Sequence, residues 1–183
     1  EVVRNKKKTE YVLNDRQMRQ IYTDLGLDGT ELIVRDGDSG RELKKLVGDE
    51  LRKLVELLNK LDELVKVVSR RGIDFAEFLS KRDAKNRLPL YRITLDGRDH
   101  YFQTPEERDG LLKSEGIIDD NGAPVDGAKG FKVHEMHEVR DLEKTFAQLE
   151  QYGLSIDDYF LTQEESVSGE KLMTKYALIT DGK

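Results

Sequence analysis

The clearest hydrophobic pattern along the chain lies between residues 49 and 72. Leucine and valine recur every seven residues in two interleaved series, at Leu51, Leu58 and Val65 and at Leu54, Leu61 and Val68. This is the spacing of the a and d positions of consecutive heptads. We therefore predict one long amphipathic helix over residues 50–71, about 33 Å long at about 1.5 Å per residue. Gly72 is placed to end it.

The segments that precede this helix predict a hairpin and a shorter helix. Val2–Arg4 and residues 9–13 are strand-like and flank the polar break at residues 5–8. Asn14 then stands where an N-cap is expected, and Gly26 is placed to end the helix that follows. The first 26 residues therefore predict a hairpin followed by a helix.

Two further hairpins are predicted. Residues 30–35 form a strand, and residues 41–47 either pair back onto it or form a helix, since their pattern fits both. Residues 89–95 and 98–103 form the other hairpin, because Asp96-Gly97 favours the positive φ angles of a type I′ turn.

The rest of the chain predicts a mixture of helices and strands. In order these are a capped helix at 75–82, a helix from Thr104 to Gly116, a mobile loop at 119–130, a strand at 131–137, a helix ended by Gly153, a single helical turn at 155–158 and a strand at 171–180. Hairpins and helices intermix without strict alternation. The predicted class is therefore α+β, with mixed hairpins and helices.

One pattern occurs twice. Asn14 and Gly26 are 12 residues apart, as are Thr104 and Gly116, and a strand-like segment precedes each cap. A hairpin-helix repeat over residues 1–26 and 90–116 would explain this, and so would the capping chemistry that helices share. The sequence leaves both explanations open.

Composition limits the classes of function. The chain has 183 residues, of which 37% are apolar, and its 31 Lys+Arg and 37 Asp+Glu give a net charge of −6. Such a chain can bury a core of ordinary size, but it is not a general polyanion binder. Of these charges, 9 cations and 18 anions fall in residues 104–183. Any contact with nucleic acid is therefore expected in the first part of the chain.

Several classes of site lack their sequence signals. There is no cysteine, which excludes disulfides and thiolate sites within these residues. No run of 18 apolar residues occurs, and the first residues lack the apolar stretch that is typical of a signal peptide. We expect a cytoplasmic protein with no membrane partner. Because the chain opens without Met and closes on an apolar run, we also expect a piece of a longer protein.

No reactive constellation stands out. The chain contains neither a Walker A loop nor a Gly-x-Ser-x-Gly turn, and the three-residue spacing of His134 and His137 does not match the zinc protease signature. We therefore predict no catalytic, cofactor-binding or metal-binding residues. The candidate contact residues are instead basic, and they form two groups, Arg4, Lys6, Lys7 and Lys8 and then Arg70, Arg71, Lys81 and Arg82. Cations at turns and at helix C-termini are also common without a ligand.

Three stretches of the sequence, taken in order, resemble the B subunits of bacterial DNA gyrases. They are residues 4–15, residues 49–55 and residues 70–73, and the resemblance spans nearly the whole chain. It implies a single domain over residues 1–183 that is inserted in the TOPRIM (topoisomerase-primase) region, with the hairpin at 1–13 at the TOPRIM junction.

The resemblance also implies a role. The parent B subunit would be an ATP-hydrolysing type II DNA topoisomerase, an isomerase, that uses ATP and Mg²⁺ and works with the gyrase A subunit. The insert itself would be noncatalytic and hold no cofactor. It would support weak DNA binding through local basic patches, contact the A subunit and other domains of the B subunit, and couple ATP-driven supercoiling to their movements.

Two alternatives remain. Residues 32–40 imitate a TOPRIM strand and acidic turn, so a Mg²⁺-dependent nucleic-acid enzyme could use Asp36, Asp38, Asp119 and Asp120. The Asp-Gly composition of a polar turn accounts for the same residues. In the second alternative, the chain is a protein-interaction domain that binds through the heptad face, which requires that face to be exposed.

Overall fold

The computed structural model describes residues 2–4, 8–10, 14–161 and 173–180. Within these residues the elements are β1 (Val2–Arg4), β2 (Lys8–Glu10), α1 (Asp15–Leu27), β3 (Thr30–Arg35), β4 (Glu42–Val47), α2 (Gly48–Arg70), α3 (Phe75–Ser80), β5 (Tyr91–Leu95), β6 (Arg98–Phe102), α4 (Pro105–Ser114), β7 (Phe131–Glu135), α5 (Val139–Gln151), a 3₁₀ turn (Ile156–Asp158) and β8 (Tyr176–Thr180). The predicted α+β class is confirmed.

The chain separates into two compact units. The first comprises residues 1–58 and 149–183, and the second comprises residues 59–148. Each unit contains one three-stranded antiparallel sheet, with strand order β4-β3-β8 in the first and β6-β5-β7 in the second. The first unit also holds the antiparallel pair β1-β2. Both sheets therefore place the first strand of a hairpin at their centre.

Local signals set the boundaries of the first unit's elements. The Asn14 side chain accepts a hydrogen bond from the Gln17 amide, as a helix N-cap should. Gly26 does not end α1, because the helix runs on to Leu27 and Gly29 adopts the positive φ angle beyond it. The ambiguous segment at 41–47 is strand β4, which pairs with β3.

A glycine allows α5 to end against β3 within the first unit. Gly153 has a φ angle of +83°, and a Cβ built on it would lie 3.4 Å from Cγ1 of buried Val34. The amide of Leu154 donates back to the carbonyl of Leu149, which closes the helix C-terminus in the manner of a Schellman motif. A side chain at residue 153 would be strained and crowded.

The long helix is confirmed, with bounds Gly48–Arg70 in place of 50–71. Most of its heptad positions belong to the cores of the two units. The buried members, at 0–2% exposure, are Leu51, Leu54, Leu61 and Val68. Leu58 is 37% exposed. The heptad face is therefore mostly buried. The protein-interaction alternative required this face to be exposed, so the structure does not support it.

The second unit is organised around the β5-β6 hairpin. Asp96 and Gly97 have φ angles of +49° and +75°, as the predicted type I′ turn requires. A complete capping box between Thr104 and Glu107 begins α4. The core beneath the sheet contains Ile93 and Leu95 of β5 together with Leu112 and Ile117.

The segment at 119–130, predicted as a mobile loop, contains ordered turns. Ile118 and Pro124 form an antiparallel bridge, and the Val125 amide donates to the Ile117 carbonyl at 2.9 Å. The Asp119 carboxylate accepts hydrogen bonds from the backbone amides of Asn121 and Ala123. The prediction of a mobile loop rests on the number of glycines and prolines. It does not take into account that Asp119 closes a turn with its own side chain.

The two candidate repeats have similar local order but different sheets. In each, a hairpin precedes a helix, β1-β2-α1 in one and β5-β6-α4 in the other. The first hairpin is a two-stranded sheet among the described residues, whereas β5 lies at the centre of three strands. A common origin of the two segments stays a prediction.

The burial of the heptad positions predicts unequal effects of truncation. Leu54→Ala removes a fully buried side chain and is expected to lower the free energy of unfolding by about 2–5 kcal/mol. Leu58→Ala is the matched control at a partly exposed position of the same helix, where a loss of about 1 kcal/mol or less is expected. Urea denaturation followed by circular dichroism measures both. Equal losses would contradict the assignment of Leu54 to the core.

Candidate functional site

Arg71, a predicted contact residue, is engaged inside the second unit. Its Nη1 donates to the Glu135 carbonyl at 2.8 Å, and its Nη2 lies 3.1 Å from Oε2 of Glu138. The Arg71 carbonyl accepts a hydrogen bond from Nη1 of Arg92 at 2.9 Å, and Arg92 is paired in turn with Asp99. The guanidinium of Arg71 therefore joins the end of α2 to the end of β7 and the start of α5.

The carboxylate of the ion pair between Arg71 and Glu138 is withdrawn from water, whereas the Arg71 side chain is 31% exposed. The Glu138 side chain is 5% exposed, and its carbonyl accepts the amide of Leu142 in the first turn of α5. Removing the cation from a buried carboxylate is strongly destabilising, so the pair acts as a structural support. This places Arg71 apart from the basic residues that face solvent.

The solvent-facing cations of the second unit centre on residues 81–87, which we call the basic loop. Asp83 fixes its shape. One carboxylate oxygen accepts hydrogen bonds from the backbone amides of Lys85 and Arg87, and the other accepts a hydrogen bond from Nε of Arg87 at 2.8 Å. The backbone hydrogen bond from Arg87 contributes most to holding the pKa of Asp83 below its usual value. Asn86 has a φ angle of +59° within this turn. The loop is thus preformed before any ligand arrives.

The members of the basic loop differ in how free their charges are. Nζ of Lys81 lies 5.8 Å from the centre of the Tyr101 ring and 3.9 Å from Glu77, and Nε of Arg82 donates to the Leu79 carbonyl. Lys85 is exposed, and among the described residues its ammonium has no ion-pair partner. Lys85 is therefore the most available cation of the loop.

Arg70 is exposed at the end of α2, where it lines a shallow groove of about 380 Å³ with Glu63, Lys66 and Ser69. The other predicted group lies at the first hairpin. Arg4 and Lys8 are backbone partners in β1 and β2. Lys6 and Lys7 lie outside the described residues.

Two of the four acidic residues of the magnesium alternative, Asp36 and Asp119, close turns with their carboxylates. Oδ1 of Asp36 accepts hydrogen bonds from Oγ and from the amide of Ser39, at 2.7 and 2.8 Å, and these bonds lower the pKa of Asp36. Asp119 closes the turn described above in the same way. Over residues 14–161 and 173–180, no three histidine or acidic side chains are grouped so that they could hold a metal ion. The geometry favours the interpretation of both motifs as turns.

A distant sequence similarity links the chain to one class of protein. The chain is similar to the B subunit of DNA gyrase from Chlamydia pneumoniae. The two are 22% identical over 169 residues, which is 90% of this chain and 19% of that gyrase protein. The chain thus spans about a fifth of the length of the curated relative that it matches. No family model matches the chain, and no solved structure matches it. Its similarity supports a region related to gyrase B.

Among the described helices, none has both the length and the apolar character needed to cross a membrane.

One polar cluster of the first unit has no signal in the sequence. Oδ2 of Asp158, in the 3₁₀ turn, accepts hydrogen bonds from Nζ of Lys175 at 2.6 Å and from the hydroxyl of Tyr176 at 2.5 Å. Burial raises the pKa of Asp158, but the two hydrogen bonds, the charge of Lys175 and a hydrogen bond from the Ser155 backbone together outweigh it and leave the pKa below its usual value. We call this cluster the Asp158 clasp. It ties the 3₁₀ turn to the start of β8.

The clasp predicts a specific dependence of stability on pH. The pKa of Asp158 is lower in the folded chain than in the unfolded chain. Ionised Asp158 therefore stabilises the fold fully when the pH is above the pKa of the unfolded state. This stabilisation is lost as the pH falls through the pKa of the folded state. The Asp158→Asn variant is expected to be less stable than the unsubstituted chain at ~pH 7, and the two free energies of unfolding are expected to converge near ~pH 2. Urea titrations across this range measure the difference.

Asp126→Asn, which removes an exposed carboxylate of the 119–130 loop, is the control for the loss of one negative charge. A constant gap between Asp158→Asn and the parent chain at every pH would reject the role given to ionised Asp158.

Proposed function

We propose that this chain is a noncatalytic insert in the TOPRIM region of a cytoplasmic, gyrase-B-like topoisomerase protein. In that role its surfaces contact DNA, the gyrase A subunit and other domains of the parent B subunit, and they help to couple ATP-driven supercoiling. The observation that carries the proposal is the extent of the similarity, since 90% of the chain matches a segment that is only 19% of a gyrase B protein. ATP and Mg²⁺ would belong to other parts of the parent protein.

The roles of the acidic turns support the noncatalytic part of this proposal. Oδ1 of Asp36 and Oδ1 of Asp119 each accept the hydrogen bonds that close their own turns. Aspartate takes this role in polar turns without any ligand. In the proposed role, Asp36 and Asp119 shape surface turns and do not act as reactive groups.

The basic loop is the part of the chain best suited to a DNA contact. Asp83 fixes the backbone of Lys85 and Arg87, so that Lys85 is held in place without a further cost of ordering the loop. The chain carries a net charge of −6, and the contact is therefore expected to be local and weak. Phosphate contacts of this kind position a duplex without reading its sequence.

A charge reversal in the loop tests this contact. Lys85→Glu is expected to weaken binding of a short fluorescent duplex and to lower the slope of log K against log salt by about 0.9, the value for one phosphate contact. Lys144→Glu, at an exposed position on α5 of the same unit, is the matched control and is expected to change the slope little. Fluorescence anisotropy over a salt series gives both slopes.

An equal effect of the two reversals would reject the basic loop as the contact. Magnesium-dependent cleavage or relaxation of DNA by the isolated chain would instead contradict the noncatalytic role.

A further inference from the structure

Strand β7 is an open edge of the second unit's sheet. It pairs with β5 on one side, and among the described residues no strand pairs with it on the other. All of its residues are exposed, including Phe131 at 37% and Val133 at 40%. These two side chains lie opposite Leu95 and Ile93, so they stand on the same sheet face as the buried core.

The register shows which backbone groups of β7 face outward. In a two-residue type I′ hairpin, the residues that flank the turn exchange hydrogen bonds, so Leu95 bonds to Arg98 and alternate residues of β5 face β6. Thr94 and Arg92 then face β7, where their partners are Lys132 and His134. The backbone groups of Phe131, Val133 and Glu135 therefore point away from the sheet.

One contact supports this direction and limits the edge. The Glu135 carbonyl accepts a hydrogen bond from Nη1 of Arg71, so it is directed away from β5. Arg71 thereby occupies the last outward carbonyl. The amides of Phe131, Val133 and Glu135 and the carbonyls of Phe131 and Val133 make no hydrogen bond to any other described residue. The open edge is a defined site for about three residues of an added strand.

The side chains specify the chemistry of that strand. Phe131 and Val133 offer apolar contacts on the core face, and Lys132 and His134 lie on the opposite face. Among the described residues, the Lys132 ammonium has no ion-pair partner. A second copy of β7 would not supply an acidic partner for Lys132. If two copies of β7 paired antiparallel over their whole length, Lys132 would lie opposite His134 of the other copy. A cation on an edge strand commonly opposes such self-pairing.

We propose that the outer edge of β7 binds an extended polypeptide segment of a partner protein in which apolar and acidic residues alternate. The apolar residues cover Phe131 and Val133, and the acidic residues pair with Lys132. The added strand extends the sheet by backbone hydrogen bonds, which give affinity, while the alternating side chains give specificity. This surface is separate from the basic loop, so its test does not depend on the proposed DNA contact.

The alternation of backbone directions gives a sharp test. Val133→Pro removes an outward amide and leaves the hydrogen bonds to β5 in place, whereas Lys132→Pro removes a hydrogen bond to β5. Binding of a fluorescent peptide of alternating glutamate and valine to the full chain is followed by anisotropy. Val133→Pro is expected to fold and to bind the peptide about tenfold more weakly. Lys132→Pro is expected to lower the melting temperature.

A charge swap keeps the test decisive if a proline variant fails to fold. Lys132→Glu is expected to bind a peptide of alternating lysine and valine in preference to the glutamate peptide, and the parent chain is expected to show the opposite preference. Hydrogen exchange on the parent chain should show the Val133 amide protected only when peptide is bound. Equal binding of both peptides to the parent chain, undiminished binding by Val133→Pro, or self-association without peptide binding would overturn the proposal.

Discussion

The pairing of each central strand with two partners is the constraint on which the rest of the structure depends. β3 and β5 are each the first strand of a hairpin, and each takes its other partner from later in the chain. Leu32 is paired with Leu46 through the hairpin and with Leu178 through β8, and all three lie on one face. A hairpin alone is only marginally stable, so the third strand is needed to complete each sheet. Among the described residues, the same arrangement leaves β4 and β8 as the edges of one sheet and β6 and β7 as the edges of the other.

The elements that the sequence predicts well are those with local chemistry. The N-cap at Asn14, the capping box at Thr104 and the Asp96-Gly97 turn each depend on residues within four positions of one another. The heptad series predicts α2 because burial on one face of a helix has a fixed period. Such signals can be read without knowledge of the tertiary structure.

The features that the sequence does not predict depend on distant residues. Arg71 contacts Glu135 and Glu138, more than sixty positions along the chain. Its sequence context, as a cation at the end of a helix, suggests a free surface charge, whereas the guanidinium is paired with the Glu138 carboxylate. The partners in the Asp158 clasp are likewise brought together only by β8. The candidate site changes accordingly, since Lys85 has no ion-pair partner among the described residues and Arg71 is paired with Glu138.

The proposed contacts depend on two surfaces whose shapes are fixed by hydrogen bonds and ion pairs. The basic loop and the β7 edge are separate parts of the second unit, and each is supported by a carboxylate or a guanidinium that the sequence alone would assign to solvent. A region of this kind, similar to about a fifth of a gyrase B protein, can position partners without reacting with them. In the proposed role, its contribution would appear in the coupling of the parent enzyme and not in the chemistry of that enzyme.

The most direct measurement of that contribution compares the parent gyrase-B-like protein with a version from which this chain is deleted, each reconstituted with the gyrase A subunit. We expect ATP hydrolysis to persist while the number of supercoils introduced per ATP falls several-fold. Unchanged supercoiling, or loss of ATP hydrolysis in a folded parent protein, would contradict the role in coupling.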